Sequence, residues 1–379
     1  MADGVPFPGL TDIHAHPAMN AFLWDRDLRR HYWTGRTFDP LASLSDFKML
    51  EQGGVKVLWS SLHVPEQDFL RCGFIRVAAH FTAGGRTLLK QNAWNCVLVM
   101  MAEMERQVAR AGDRFEVARS NAELDAVLAA RKTAIVHTVE GGQVLSAGLA
   151  ADDLAGRLTR LEQLADRGVA SITLAHLFPN DLAGHAEAIP AEQRSFPICK
   201  LDTGVDLSRG LTPIGRAVLQ RMVDLRILPD VTHCTPVARR EVYELVANRV
   251  PVIASHIGVQ SMNPEPYNLD ESDVRAIAAS GGVVGVIFMP YWLDKAHPGP
   301  GLDAIWRTME VVRGWSDGSW EHLALGTDFD GFTDPPDDCK SEAELPRVRE
   351  LLEAKGLAAD AIEAVLGGNA RRVLRSGWR

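Results

Sequence analysis

The stretch AIVHTVEGG, residues 134–142, shows the pattern that decides the fold: a short β-branched run ends at an ionisable side chain, and two glycines then turn the chain. Runs of this kind recur along the sequence and alternate with longer amphipathic segments, which is typical of βα units and a parallel sheet. Eight strands are predicted, and eight is the number that closes a (β/α)8 (TIM) barrel. The predicted strands are Thr11–His14, Val55–Ser61, Ala134–Val139, Ser171–His176, Leu228–His233, Val252–His256, Val283–Phe288 and Leu323–Asp328.

Amphipathic segments between these strands predict helices. One spans Thr212–Leu225 and begins with a capping threonine followed by proline, a residue favoured in the first turn. Leu88–Ala111 predicts one long helix between the second and third strands. Leu177–Gly210 is too long for an ordinary βα loop, and we expect it to pass over the C-terminal face of the barrel. The other predicted helices are Asp152–Arg167, Pro236–Ala247, Ser272–Ala279 and Asp303–Trp315, with two more in Ala343–Leu374 around Gly356.

Length, composition and charge limit the classes of function. The 379 residues suit one α/β domain over 1–379, with a barrel core at about 11–331 and C-terminal helices at 343–379 on its outside. A net charge of -9 without a segregated basic patch argues against a nucleic acid or an anionic membrane as partner. The five cysteines are scattered, and the sequence contains neither a secretory signal pattern nor an apolar run that could span a bilayer, so we expect a cytoplasmic location.

Ionisable side chains cluster where the predicted strands end. The carboxyl ends of parallel barrel strands meet on one face, and active sites form there. His14 and His16 are two residues apart, so alternation along a strand should point both imidazoles to one side, where they can chelate one ion. Ionisable groups in an apolar wall are costly to bury unless they are paired or bound to metal, so these positions together predict a metal site. They are His14, His16, Glu140, His176, His233, His256 and Asp328.

Seven short motifs follow one another from Asp12 to Gly331. They are Asp-x-His-x-His at 12–16, Val-Glu-Gly-Gly at 139–142, Leu-x-His at 174–176, Gly-Leu-Thr-Pro-x-Gly at 210–215, Asp-Val-Thr-His at 230–233, Pro-Val-Ile-x-Ser-His at 251–256 and Gly-Thr-Asp-Phe-Asp-Gly at 326–331. This order closely resembles that of the membrane (renal) dipeptidase family of the amidohydrolase superfamily. Seven motifs in the right order make a chance resemblance improbable even though each motif alone is weak.

The resemblance implies a barrel that holds two Zn²⁺ ions, or other divalent metals in their place. In such a site Glu140 bridges the ions, and Asp328 is a further ligand and the proton shuttle. His176 would polarise the carbonyl of a small-molecule substrate without binding metal. A homodimer would also match the resemblance. The remaining implied ligands are His14 and His16 for one ion and His233 and His256 for the other.

The chain departs from the family at two positions. His16 stands where family members usually have aspartate, which changes the charge of the site but keeps a zinc ligand. Tyr267 stands before Asn268 where the family has an arginine that grips the substrate carboxylate, and a phenol cannot form that bidentate charged pair. Tyr267 and Asn268 are therefore candidate substrate contacts. Three basic residues of the long connection could hold the carboxylate instead, although a solvated loop charge is the favoured interpretation of each: Arg194, Lys200 and Arg209.

Several other residues invite a functional interpretation. Cys234, beside His233, is rejected as a nucleophile because no base is evident among its sequence neighbours. His63, after the second strand, is the unassigned histidine that we expect to approach the pocket. His137, His185 and His297 are assigned structural or surface roles. Aromatic residues that either line the pocket rim or pack ordinarily are Phe178, Phe288, Tyr291, Trp292 and Phe332.

Three functions are compatible with these patterns. The first is hydrolysis of a small amide bond, in a dipeptide or an N-acyl amino acid, by metal-bound hydroxide. The second keeps the metal site but cleaves a lactone, phosphoester or amidine, because barrels of this superfamily share ligands across several chemistries. The third is a non-catalytic barrel that binds other molecules. That last hypothesis predicts damaged ligands, whereas all six metal positions hold competent side chains.

Overall fold

The computed structural model describes residues 9–32, 42–189, 195–196, 199–200, 202–294, 301–331 and 334–379. Eight parallel strands form the barrel that the sequence predicts: β1 Leu10–Ala15, β2 Val55–His63, β4 Thr133–Glu140, β5 Ser171–Thr173, β8 Leu228–Asp230, β9 Ala254–Ile257, β10 Val284–Val286 and β11 Leu323–Leu325. Three short strands lie outside it: β3 Phe115–Ala118, β6 Ser195–Phe196 and β7 Cys199–Lys200. Neighbouring barrel strands run in the order β8-β5-β4-β2-β1-β11-β10-β9, and a parallel bridge between Asp230 and Ile253 joins its two ends.

Helices follow most of the strands, as expected for βα units. The predicted helices from Asp152, Thr212, Pro236, Ser272 and Asp303 are each present within two residues of their predicted bounds. In chain order the helices are α1 Pro17–Leu23, α2 Phe47–Gln52, α3 Gly73–Ala78, α4 Ala83–Lys90, α5 Ala93–Arg110, α6 Asn121–Ala129, α7 Gln143–Ser146, α8 Leu154–Asp166, α9 Pro213–Leu225, α10 Pro236–Val246, α11 Glu271–Ala279, α12 Pro290–Leu293, α13 Gly301–Trp315, α14 Pro346–Ala354, α15 Ala359–Glu363 and α16 Asn369–Gly377.

The strand register brings particular side chains to one end of the barrel. β2 and β4 pair without interruption from Val57 with Ala134 to His63 with Glu140. Glu140 also pairs with Thr173 of β5 on its other side. Because the barrel strands are parallel, their carboxyl ends lie on the same face, and His63 becomes a direct neighbour of Glu140.

Two local features differ from the sequence predictions. The prediction of a single helix over Leu88–Ala111 is wrong, because the chain is extended at Gln91 and at Asn92 between α4 and α5. The Asn92 side chain accepts a hydrogen bond from the Asn95 N–H at 3.0 Å, so it starts a new helix as an N-cap. β3 was not predicted; it pairs with the first half of β4, where the three-residue β5 does not reach.

The last C-terminal helix, α16, packs at the amino end of β11, opposite the face just described. The Asn369 side chain of α16 donates hydrogen bonds to the carbonyls of Trp320 and Leu323, at 2.7 and 2.9 Å. Trp378 is fully buried in a cluster that also contains Ile13 and Trp59 from the barrel strands. Two helices were predicted here around Gly356, which has φ +79°; the chain instead forms three, α14 to α16, with a π-helical turn at Ala364–Gly368.

The long connection after β5 is anchored on the carboxyl face. The Ala186 N–H donates to the carbonyl of His233 at 2.7 Å, and the backbone of His185 pairs with that of Cys234 in an isolated antiparallel β-bridge. β6 and β7 form an antiparallel hairpin within this connection. Among the described residues, no helix combines the length and the apolar character needed to cross a membrane.

Candidate metal centre

The site is built around the carboxylate of Glu140, the last residue of β4. Six imidazole nitrogens lie within 3.7 Å of its two oxygens, and all six histidines are buried. From Oε1 the distances are 3.2 Å to His233 Nε2, 3.4 Å to His256 Nε2, 3.5 Å to His14 Nε2 and 3.7 Å to His176 Nε2; from Oε2 they are 3.4 Å to His16 Nε2 and 3.7 Å to His63 Nδ1. Asp328 completes the cluster with Oδ1 3.0 Å from His16 Nε2. All seven strand-end residues singled out from the sequence therefore lie together.

Two pairs of imidazoles face each other across short gaps. His14 Nε2 and His16 Nε2 are 3.1 Å apart, and His233 Nε2 and His256 Nε2 are 3.0 Å apart. Two nitrogens bound to the same zinc ion at about 2.0–2.1 Å stand about 3.0–3.4 Å apart for ordinary bond angles. Together with the two carboxylates, the spacing and the chemistry of this donor set fit divalent metal ions such as zinc.

Three-residue groups that could each hold an ion overlap in this cluster. Their ligand atoms lie within 4.8 Å of one another. His14 belongs to two of these groups, one with His16 and one with His256. It therefore lies between the ligands of the two candidate ion positions. The groups are His14, His16 and Asp328; His14, Glu140 and His256; Glu140, His176 and His233; and His63, Glu66 and His176.

His14 and His16 come together by a route other than simple strand alternation. β1 ends at Ala15, and His16 is already the N-cap of α1, with φ −117° and ψ 42°. The register of β1 against β2 shifts by one residue between Asp12 and Ala15, which is a β-bulge. Bulges next to active sites redirect side chains, and here the bulge brings both imidazoles to the same ion site.

Two buried aspartates hold the strand ends that carry the site. Asp12 accepts hydrogen bonds from the backbone N–H of His14 and of Thr327, each at 3.0 Å, and so joins β1 to the segment that leads to Asp328. Asp230 does the same elsewhere in the barrel. Its donors are the hydroxyl of Thr173 at 2.8 Å, the N–H and hydroxyl of Thr232 at 3.0 and 2.8 Å, and the Ser255 N–H at 3.1 Å. Both aspartates are first residues of the motifs quoted above, and their role is to position the ligands.

The backbone is strained at two of the site residues. His233 has φ +65° and Asp328 has φ +60°, a region that non-glycine residues seldom adopt. Such conformations cost about 1–3 kcal/mol each and persist where the surrounding structure holds them. Here hydrogen bonds do so: the Asp328 N–H donates to the His14 carbonyl at 2.8 Å, and the His233 carbonyl accepts from Ala186.

The charges of the cluster favour metal-binding protonation states at Glu140, His233 and His256, whereas at His14 burial is outweighed by the carboxylate of Glu140, which raises the pKa. Burial would raise the pKa of Glu140, but His176 and His14 outweigh it and lower the pKa well below its ordinary value. Burial lowers the pKa of His233 and, strongly, that of His256, so both imidazoles are neutral and carry a lone pair for a ligand. Burial also lowers the pKa of His176, yet the carboxylates of Glu66 and Glu140 raise it to about 9.

Glu66 is a site residue that the sequence predictions missed. Its carboxylate lies 2.6 Å from His176 Nδ1 and 3.7 Å from His63 Nε2. His63 itself lies at the pocket, as expected of it. Glu66 lies in the loop beyond the end of β2, so the search of strand ends did not reach it; the signal available was an ionisable residue three positions after His63.

The remaining histidines lie apart from the cluster or outside the described residues. His185 is held in the long connection by a contact of 2.9 Å between Nε2 and the Thr203 carbonyl. His137 is buried on β4, and neither of its ring nitrogens has a hydrogen-bond partner in the described part of the chain. His297 lies outside the described residues, as do Arg194 and Phe332.

Tyr267 from the loop after β9 and Trp292 from α12 form an aromatic wall beside the site. The Tyr267 ring lies 4.3 Å from that of Trp292, which in turn is 6.1 Å from the His233 ring. Asn268 is fully buried; its amide donates to the carbonyls of Asn263 and Trp292, and its oxygen accepts from the Gly258 N–H. Tyr267 thus lies next to the site through Trp292, whereas the amide hydrogens of Asn268 bond to its own loop and to α12.

Other predicted rim residues serve packing. Phe178 contacts Phe69 edge-on at 5.0 Å, and Phe288 packs on Phe329 at 5.7 Å.

Arg209 donates to the carbonyl of Asn180. Cys234 is buried, and burial raises the pKa of its thiol to about 12, so it remains a protonated thiol. The geometry agrees with its rejection as a nucleophile.

Comparisons with known proteins identify the family. A model described as membrane dipeptidase (Peptidase family M19) matches residues 15–377. An uncharacterized protein in the pqqA 5' region of Klebsiella pneumoniae is 28% identical over 289 residues, covering 74% of this chain and 95% of that protein. An uncharacterized dipeptidase of Schizosaccharomyces pombe is 25% identical over 223 residues, covering 59% of this chain and 50% of that protein.

Solved structures share the fold. The crystal structure of a metallo peptidase from Rhodobacter sphaeroides, bound to a phosphinate mimic of the dipeptide L-Ala-D-Ala, is similar with a TM-score of 0.75 at 20% identity, covering 98% of this chain and 99% of that chain. The family match extends over nearly the whole chain, from the end of β1 to the end of α16. The resemblance inferred from the motifs is thereby confirmed: the chain belongs to the membrane dipeptidase family.

Proposed function

We propose that this protein is a binuclear zinc hydrolase that cleaves a small amide bond, in a dipeptide or an N-acyl amino acid. The observation that carries the proposal is the two pairs of facing imidazoles around Glu140, with N···N distances of 3.1 and 3.0 Å. The residues that would hold the metal are His14, His16, Glu140, His233, His256 and Asp328. Zinc bound there would supply the acidity that lowers the pKa of water towards neutrality.

The remaining chemistry belongs to two side chains of the chain itself. The Asp328 side chain is 11% exposed, more than its buried neighbours, and its Oδ1 lies 3.0 Å from His16 Nε2. In the proposed reaction it accepts a proton from water and passes it to the leaving nitrogen. His176 directs Nε2 to the same side, 3.7 Å from Glu140 Oε1, and donates a hydrogen bond to the substrate carbonyl oxygen.

Tyr267 stands in the sequence where the resemblance implies the family's arginine. Tyr267 and Trp292 offer an apolar wall instead. The guanidinium of Arg239, which lies below this loop, is buried and bound to backbone carbonyls and to Asp273. This arrangement supports substrates whose carboxylate is held differently, and it keeps lactones, phosphoesters and amidines in the test as the alternative class.

A substrate panel with zinc-loaded protein tests the proposal. The panel contains L-Ala-D-Ala, chosen because its mimic binds the Rhodobacter sphaeroides peptidase, together with other dipeptides, N-acyl amino acids, lactones and phosphoesters. Asp328→Asn should lower kcat on the amide substrate by about a hundredfold or more. Asp317→Asn is the matched control, since Asp317 also has positive φ, at +56°, but is 90% exposed and remote from the site. No binding of zinc, cobalt or manganese, or equal activity of the two variants, would refute the proposal.

A further inference from the structure

Glu66 is a buried carboxylate that the proposed reaction does not use. It follows β2 and lies in the wall of the site, 8% exposed. Its Oε1 is 2.6 Å from His176 Nδ1 and 3.4 Å from the backbone N–H of Leu177. Its Oε2 is 3.7 Å from His63 Nε2 and has no hydrogen-bond partner in the described part of the chain. A buried carboxylate is costly unless it is bonded, so these contacts require an explanation.

The two histidines that contact Glu66, His63 and His176, both lie between Glu66 and Glu140. Each uses one nitrogen towards Glu66 and turns the other to Glu140: His176 Nε2 lies 3.7 Å from Oε1, and His63 Nδ1 lies 3.7 Å from Oε2. The two rings are 4.2 Å apart at an interplanar angle of 48°. Glu66 therefore lies on one side of both imidazoles, and Glu140 lies on the other.

The short contact is a hydrogen bond and leaves no room for an ion. A nitrogen and an oxygen bound to the same zinc at about 2.0–2.2 Å stand about 3.0–3.5 Å apart for ordinary bond angles. The 2.6 Å between His176 Nδ1 and Glu66 Oε1 is shorter than that and lies just below the range of about 2.7–2.9 Å for a charge-assisted N–H···O hydrogen bond. Although His63, Glu66 and His176 form a group of the right residue types for metal, their spacing favours direct bonding.

We propose that Glu66 is the positioning residue of this site: it accepts the Nδ1–H hydrogen bond of His176 and so holds Nε2 of that ring towards Glu140 and the substrate. The inference deepens the proposed function and rests on it for the role of Nε2. An ionised carboxylate has no proton to donate, so the proton of this bond must be on His176 Nδ1. Because Nε2 must also carry a proton to donate to a substrate carbonyl, His176 in this role is the doubly protonated imidazolium, with one N–H held by Glu66 and the other directed to the substrate.

The surrounding loops hold Glu66 in place. Leu177, which follows His176, donates its backbone N–H to the same oxygen that His176 contacts. Phe69 from the loop after β2 packs edge-on against Phe178 from the loop after β5, with ring centroids 5.0 Å apart. The two loops are thus joined by polar and apolar contacts, and the orientation of His176 depends on both.

The closing experiment separates ring orientation from activity. Protein labelled with ¹⁵N-histidine and loaded with zinc is examined by long-range ¹H–¹⁵N correlation, with His176→Gln to assign the signals. We expect a proton on His176 Nδ1 in the wild type and its loss, or a change of tautomer, in Glu66→Ala. Glu66→Gln keeps an acceptor oxygen and should retain the signal. Gln67→Ala, an exposed neighbour on the same turn, is the matched control and should match the wild type.

Kinetics and metal content complete the test. Glu66→Ala should lower kcat about 10- to 100-fold with little change in KM, and Glu66→Gln should recover much of that loss. The zinc content per chain should be the same in all variants. An unprotonated Nδ1 in the wild type, loss of a zinc ion in Glu66→Ala or an unchanged kcat would each overturn the inference. Because the spectra and metal content need no substrate, they decide the role of Glu66 even if no substrate of the panel is cleaved.

Discussion

Replacing Arg239 with methionine should destabilise the fold and disturb the wall of the site. The side chain is fully buried on α10 and pairs with Asp273 at 3.0 Å. It also donates to the backbone carbonyls of Cys234 at 3.1 Å, Pro266 at 3.1 Å and Asn268 at 3.2 Å. One guanidinium therefore joins the residue after His233 to the loop that carries Tyr267. Methionine has a similar length and makes none of these bonds.

The expected loss of stability comes from the carboxylate of Asp273, which remains buried without its partner. Removing one partner of a buried ion pair costs about 3–5 kcal/mol, because the other charge remains buried without compensation. At about 2.1 cal/mol/K per residue, the unfolding entropy of 379 residues is about 0.8 kcal/mol/K, so Tm should fall by about 4–6 °C. The loss should be smaller in acid. Burial already raises the pKa of Asp273, and without Arg239 the pKa rises further, so the folded variant retains a proton that the unfolded chain releases above its pKa of about 3.9.

Thermal unfolding of four proteins at pH 5 and pH 8 tests this reasoning. Arg240→Met is the matched control, since Arg240 is the next residue on α10 and is exposed. Asp273→Asn in the Arg239→Met background removes the uncompensated charge and should restore part of the stability. The reasoning is refuted if Arg239→Met and Arg240→Met unfold alike, if the deficit does not grow from pH 5 to pH 8, or if the double variant is no more stable than Arg239→Met.

Three further predictions concern metal, a buried acid and a thiol. Chelation should abolish hydrolysis and lower Tm, because metal at about 100 times its Kd stabilises the folded chain by about 2.7 kcal/mol; an unchanged Tm would contradict a resident metal. Burial and the neighbouring Asp12 raise the pKa of Glu342 well above its ordinary value, so stability falls as pH rises above the unfolded pKa of about 4.3. Glu342→Gln should therefore raise Tm at pH 8 and not at pH 4, and a gain of equal size at both values would count against it. Cys234→Ala should leave kcat unchanged, since the buried thiol has a pKa of about 12; a large loss would reopen its role as nucleophile.

The barrel and most of the metal cluster could be predicted from local patterns. A parallel barrel places every strand end on one face, so a residue such as Asp328 or His256 needs only to follow a β-branched run to be assigned to the site. His233 and Glu140 follow the same rule. The order of the motifs then identified the family.

The missed features depend on a local helix cap or on contacts between distant segments. The break between α4 and α5 comes from the Asn92 cap, which competes with a continuous helical pattern. β3 forms because β5 is short and leaves the first half of β4 open. His16 lies at the site as predicted, but the irregular register at the end of β1 was not predicted, because it depends on the pairing of β1 with β2.

The sequence by itself determined which strand-end side chains lie at the carboxyl face of the barrel and which chemistry they can support. Only the tertiary structure decided how they are oriented. Glu66 contacts His176 Nδ1, and His63 of β2 pairs with Glu140 of β4. Arg239 donates to the backbone of the loop that carries Tyr267. The physical reason is that strand position depends on local propensity and hydrophobic pattern. Orientation depends on register and on hydrogen bonds between loops far apart in the chain, such as the 110 residues between Glu66 and His176.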